Sequence, residues 1–218
     1  MERVAHLDAQ PHRQGTRKRL RHLSRRRDLA GGYAPRVTSV HLLHAGYATD
    51  RVGSSVVLVR DGDVLIVADP GMVADRRRIL DPLAALGVAP EAVTHVFLSH
   101  HHPDHTINVA LFPNAEVVDF WARYRADVWL DHEGDGYQLS PQTKLWLTPG
   151  HTEEDATLLV EADDAVYALT HLWWRGDRTP GIDPLAWDQD SLERGRERVL
   201  AAADVVIPGH GEPFRVRG

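Results

Sequence analysis

The sequence predicts an α+β fold of two similar halves packed sheet to sheet, with helices outside. Three observations point there. Runs of short strands followed by a helix occur twice along the chain. Several of those strands end on a histidine or an aspartate, where sites on mixed folds are commonly built. The length of 218 residues, 43% of them apolar, suits one domain of this size with a sizeable core.

The elements follow in order. Val37–Leu43, Ser54–Arg60 and Val64–Asp69 are β-branched runs, with Asp61-Gly62 as a hairpin turn between the last two. Ala74–Leu86 carries a helical pattern that ends at Gly87, with Pro82 as a kink or break within it. Thr94–Leu98 is an apolar strand running into a histidine cluster. Glu116–Asp119, Lys144–Leu147, Thr157–Val160 and Ala165–Leu169 add strands. Asp190–Ala202 is a helix, and the strand Asp204–Ile207 leads into Pro208-Gly209-His210.

The net charge of −6 conceals a division. Residues 1–36 hold ten Lys and Arg against three Asp and Glu, and the remainder holds fifteen against twenty-eight. The first segment, 1–36, lacks apolar periodicity and reads as a basic, disordered arm; residues 37–218 form the folded domain. Ser24-Arg25-Arg26 has the look of an export signal, but no apolar stretch follows it. An acidic body argues against a broad face that tracks nucleic-acid phosphates. No run of apolar residues is long enough for a membrane span, so a cytoplasmic protein without membrane partners is expected. The absence of cysteine excludes a thiol nucleophile and Cys-ligated zinc.

Fourteen histidines are many for this length. The densest group is Ser99-His100-His101-His102-Pro103-Asp104-His105. His100 and His102 are two apart and can aim at one ion from extended backbone. Asp104 and His105 turn away as a helix begins and can meet a second. Imidazole and carboxylate at this density are ligands of zinc, iron or manganese. His101 falls between the ligands and is expected to be solvated or to support them. His151 follows a strand and a Pro-Gly turn, His171 follows Ala165–Thr170, and His210 follows Asp204–Ile207. Histidines at separate strand ends can converge on one metal centre.

These motifs resemble those of the metallo-β-lactamase-fold hydrolases. The matching residues are His100-x-His102-x-Asp104-His105, Gly150-His151-Thr152, Pro208-Gly209-His210-Gly211, and Asp69 in Val67-Ala68-Asp69-Pro70-Gly71. The resemblance covers about Val37 to Val216. It implies a four-layer αβ/βα arrangement, two mixed sheets face to face, with metal at one edge. It further implies that His100, His102 and His151 hold a first metal, that Asp104, His105 and His210 hold a second, and that Asp69 supports the ligand loop. The metal expected is zinc, one or two ions per chain, with iron or manganese as alternatives.

One position departs from the pattern. Where the family usually places an aspartate that bridges two ions, this chain has His171. A carboxylate can give one oxygen to both metals, whereas a neutral imidazole serves one. His171 is therefore a terminal ligand of the second metal, the mark of a mononuclear site, or no ligand at all. Losing an anion there leaves the site more positive, which favours anionic substrates. Asp177 is the nearest other carboxylate.

The chemistry implied is hydrolysis by metal-bound hydroxide, with Asp104 in the catalytic role, on a small ester, thioester, lactone or phosphodiester. Members nearest in pattern are associated with RNA cleavage, so an endoribonuclease-type phosphodiesterase acting on short nucleic acid is the main alternative. A metal-binding sensor or scaffold without turnover is the second. Trp173 and Trp174, just past His171, are candidates for a pocket wall, and the resemblance allows a homodimer.

Overall fold

The computed structural model describes residues 37–217; the basic arm lies outside them. In chain order the elements are β1 (Thr38–His44), β2 (Tyr47–Ala48), β3 (Val52–Gly53), β4 (Val56–Asp61), β5 (Val64–Ala68), α1 (Arg77–Ala85), β6 (His95–Phe97), α2 (Pro103–Thr106), β7 (Glu116–Val118), β8 (Ala122–Arg125), β9 (Val128–Asp131), β10 (Tyr137–Ser140), β11 (Thr143–Leu147), β12 (Ala156–Glu161), β13 (Val166–Thr170), α3 (Gln189–Ala202), β14 (Val205–Pro208) and β15 (Phe214–Arg215).

Two sheets result. One runs β1-β4-β5-β6-β7-β8-β9 and the other β10-β11-β12-β13-β14-β15, each mixing parallel and antiparallel pairs. Because side chains alternate along a strand, each buried sheet needs an apolar partner on both faces. β4 meets that need directly: Val57 and Val59 face the opposite sheet, while Val56 and Leu58 face the helix layer. Between the sheets lie Val57, Ile66, Phe97 and Val118 of one and Leu145, Leu158, Leu169 and Ile207 of the other. Leu58, Val67 and Val96 pack outward on Ile79 and Leu83 of α1. Leu159, Ala168 and Val206 pack outward on Leu192 and Val199 of α3. Helix, sheet, sheet, helix is the expected four-layer order, and each fully buried aliphatic or aromatic side chain contributes about 1.5–3 kcal/mol to it.

α1 begins at Arg77, later than its helical pattern suggests, and Pro82 sits inside it without dividing it. Gly87, at φ +73°, follows the helix end. α3 is capped by Asp188, whose carboxylate accepts from the Ser191 amide. The strands β8, β9 and β10 and the ribbon β2–β3 have no counterpart in the sequence pattern. All four residues of β9 are exposed, so burial imposes no alternation for a pattern to reveal.

Candidate metal centre

The seven ligand-type side chains come from four strand ends at one edge of the sheets. β6 runs through Ser99 into the segment carrying His100, His102, Asp104 and His105. β11 leads to His151, β13 to His171 and β14 to His210. Two glycines let these segments approach. A Cβ on Gly71 would lie 1.6 Å from the Asp104 carbonyl oxygen, and one on Gly209 would lie 2.3 Å from Cδ2 of His171. Both positions therefore exclude any side chain.

The ring nitrogens form two groups. His102 Nδ1 lies 3.0 Å from His100 Nε2 and 3.3 Å from His151 Nε2. On the other side, Asp104 Oδ2 lies 3.5 Å from His105 Nε2 and 3.6 Å from His210 Nε2. His171 joins both, forming one close triad with His100 and His151 and another with His105 and His210. Its ring centroid lies 4.3–5.1 Å from those of His100, His105, His151 and His210. Its Nε2 is 3.1 Å from that of His210.

A divalent cation fits these residues. His105 Nε2 and His171 Nδ1 are buried with no hydrogen-bond partner, and an unpartnered buried nitrogen is costly unless something else takes its lone pair or proton. Burial pushes the His100 and His171 rings well below the usual histidine range, as do neighbouring histidines that would repel a second positive charge. His210 is lowered to about 4, mainly by burial. Neutral imidazole is the form that ligates metal.

Around the ligands stand groups that fix their orientation. Asp69, at φ +48° after β5, accepts from the Ser99 amide through Oδ1 at 2.7 Å and pairs its Oδ2 with His105 Nδ1 at 3.0 Å. A non-glycine residue in the left-handed region carries strain, here held by these bonds. His210 Nδ1 donates to the Gly53 carbonyl at 2.9 Å. Those contacts select the tautomer that leaves the other nitrogen free for metal.

Three carboxylates near the site escape the sequence motifs. Asp183 lies 2.7 Å from His151 Nδ1 and accepts from Trp174 Nε1 at 2.9 Å. Burial alone would raise its carboxyl, but the bonds from His151 and the Leu185 amide outweigh that and hold it low. Asp155 is buried beneath the cluster, 4.0 Å from His100 Nδ1, and burial raises its carboxyl to about 7. Asp119 pairs with His101 Nε2 at 2.8 Å, and that bond raises the histidine above its ordinary value. Asp119 follows a strand as Asp69 does, so the same strand-end rule would have found it. Asp183, in an irregular loop 32 residues beyond His151, gives no such signal.

Asp177, the other carboxylate near His171 in sequence, is exposed and bonded to Thr179 and Arg175, so it does not take the bridging position. Of the two tryptophans only Trp174 lines the cavity. Trp173 is buried against Phe214 and the α3 side of the sheet, and so packs in the core rather than in the wall. The cavity measures about 290 Å³ and is lined by Arg51, Val52, Trp174 and Leu185 as well as by His102, Asp104, His151, His171 and His210.

Asp183→Asn keeps the size of the side chain but removes the charge that orients His151. Metal affinity should fall about 10–100-fold, as is usual for partners of ligating histidines. Competitive zinc chelation measures it, and an unchanged affinity would show that Asp183 only anchors the loop.

The metallo-beta-lactamase superfamily profile matches residues 49–216. Metallo-beta-lactamase domain-containing protein 1 of Xenopus laevis is 36% identical over 191 residues, covering 82% of both chains. The Homo sapiens protein of the same name is 39% identical over 163 residues, covering 69% of this chain and 59% of its own, so less than two thirds of its length is matched. Among solved structures, an N-acyl homoserine lactone hydrolase with the product N-hexanoyl-L-homoserine at its catalytic metal center has a TM-score of 0.60 at 16% identity. That match covers 80% of this chain and 93% of the other, and it shows a common fold. Fold, strand-end motifs and family profile agree: the chain belongs to the metallo-beta-lactamase superfamily, a family of hydrolases.

Proposed function

We propose that this hydrolase uses zinc to cleave a small ester, thioester, lactone or phosphodiester. The observation that carries the reading is the convergence of six histidines and Asp104 at one edge of the sheets, four of those histidines and Asp104 lining a cavity, with two buried ring nitrogens lacking partners. A nitrogen-rich set with one carboxylate suits zinc. His100, His102 and His151 would hold one ion; Asp104, His105 and His210 would hold another, and His171 stands within reach of both groups. Zinc there supplies Lewis acidity and lowers the pKa of water.

The chain's own residues account for the rest. Among the described residues Asp104 is the only carboxylate lining the cavity, so besides holding metal it is the group placed to orient an attacking water. Trp174 has its N–H committed to Asp183 and therefore offers the cavity an apolar wall. Leu185, itself exposed, extends that wall. A volume of about 290 Å³ lies at the small end of ligand pockets, which favours compact substrates over long nucleic acid.

Zinc-loaded and chelator-stripped protein should be compared on p-nitrophenyl esters, a thioester, a lactone and bis-p-nitrophenyl phosphate. Turnover of at least one class should fall by about 100-fold or more on stripping and return with zinc. Turnover that survives stripping, or none from the loaded protein on any class, would overturn the reading.

A further inference from the structure

Part of the cavity lining comes from the ribbon β2–β3, whose three-residue loop is Thr49-Asp50-Arg51. This ribbon is built into the site. The Gly53 carbonyl at its base accepts from His210 Nδ1 at 2.9 Å, and two residues on the Ser55 amide donates to the Gly209 carbonyl at 2.7 Å. The loop's approach to the ligands is thus fixed through the segment that carries His210.

Arg51 lines the cavity and, among the described residues, is the only Arg or Lys that does so. Among the described residues it has no ion-pair partner. Its neighbour Asp50 is engaged locally by the Thr49 hydroxyl at 2.9 Å. Among the described residues the only carboxylate lining the cavity is Asp104, which lies between His105 and His210. A guanidinium left unpaired at the mouth of a pocket is available to an incoming anion, and its planar fork suits carboxylate and phosphate oxygens. Trp174 and Leu185 offer apolar surface in the same cavity.

We propose that Arg51 is the residue that recognises substrate charge, and that the substrate is a small ester bearing an anionic oxygen group which sits against Arg51. This rests on the hydrolase reading and narrows it. His171 acts in the same direction, because a neutral ring where a carboxylate would add negative charge leaves the cavity more attractive to anions. The anionic group could belong to a carboxylate-bearing acyl ester or to a phosphodiester.

The test uses zinc-loaded wild type, Arg51→Ala and Arg51→Lys, with metal content confirmed by native mass spectrometry. The substrates are the matched pair p-nitrophenyl butyrate and p-nitrophenyl hydrogen glutarate, with bis-p-nitrophenyl phosphate alongside. KM for an anionic substrate should rise about tenfold more in Arg51→Ala than KM for the neutral ester, with lysine recovering part of the loss. A rise confined to the glutarate assigns the charge to an acyl ester; one confined to the phosphate assigns it to a phosphodiester. Calorimetry with inorganic sulfate gives a readout independent of turnover, and its affinity should fall about tenfold in Arg51→Ala. Equal effects on charged and neutral esters, or unchanged sulfate affinity, would overturn the role of Arg51 while leaving the hydrolase intact. If no substrate is turned over by loaded wild type, the hydrolase reading fails, and the sulfate titration still decides whether Arg51 binds anions.

Discussion

Replacing His171 with alanine will lower the metal bound per chain and reduce kcat/KM by about 100-fold or more. The basis is the position of this ring within two triads, His100–His151–His171 and His105–His171–His210. Loss of a group that merely orients a ligand costs up to about 100-fold, and a side chain reaching both ligand groups should cost at least as much. Native mass spectrometry of protein purified without added metal reads the loss directly. Thermal melts separate it from a folding defect: zinc raises the Tm of a protein that binds it only when folded, and that increment should shrink in the variant. His171→Asp should behave differently. A carboxylate can share one oxygen between ions about 3.5–4 Å apart, so the variant should hold two metals at least as well as wild type. It also adds a negative charge, which should weaken anionic substrates relative to neutral ones. Equal metal content in all three proteins would show that His171 is not a ligand.

How far the site could be read from sequence depends on where each interaction is encoded. The candidate ligands lie in short motifs just past strand ends, and a strand is legible wherever burial enforces β-branched or apolar residues, as in Val56–Asp61. The exposed β9 and the two-residue strands β2 and β3 carry no such constraint. Yet β2 and β3 place Arg51 over the cavity. Asp183 is hidden for a related reason: its meaning lies in tertiary hydrogen bonds to His151 and Trp174, and nothing local in Ile182-Asp183-Pro184 requires a carboxylate. The Arg196 guanidinium, buried in α3, donates to the carbonyls of Leu172, Pro180 and Gly181 and so pins the start and the middle of the loop that presents Asp183. Sequence periodicity marks Arg196 only as a charged residue on a helix.

Packing so many imidazoles together has a consequence for the metal-free protein: it should lose stability steadily as the pH falls below 6.5. His100 and His171 are held well below the ordinary value, and His210 at about 4, by burial first and by one another second. Below 6.5 the unfolded chain takes up these three protons while the folded chain resists them. The unfolded state therefore binds more protons, and stability falls on acidification by about 1.4 kcal/mol per proton per pH unit. Asp155 opposes this. Its carboxyl, raised to about 7 by burial, is protonated in the folded protein at pH values where the unfolded chain has released the proton, so acidification favours folding through that group. The lowered histidines, His102 among them, outnumber this one opposing carboxyl, so the net effect of acidification is destabilising. Urea unfolding in chelator at pH 6.5, 5.5 and 4.5 measures the slope. Asp155→Asn should steepen it by removing the opposing group. Zinc should raise stability most at pH 6.5 and progressively less below, since metal and protons compete for the same nitrogens. A flat curve in chelator would mean that the metal-free rings are already solvated and free to protonate, and that the close packing of the cluster exists only around its metal.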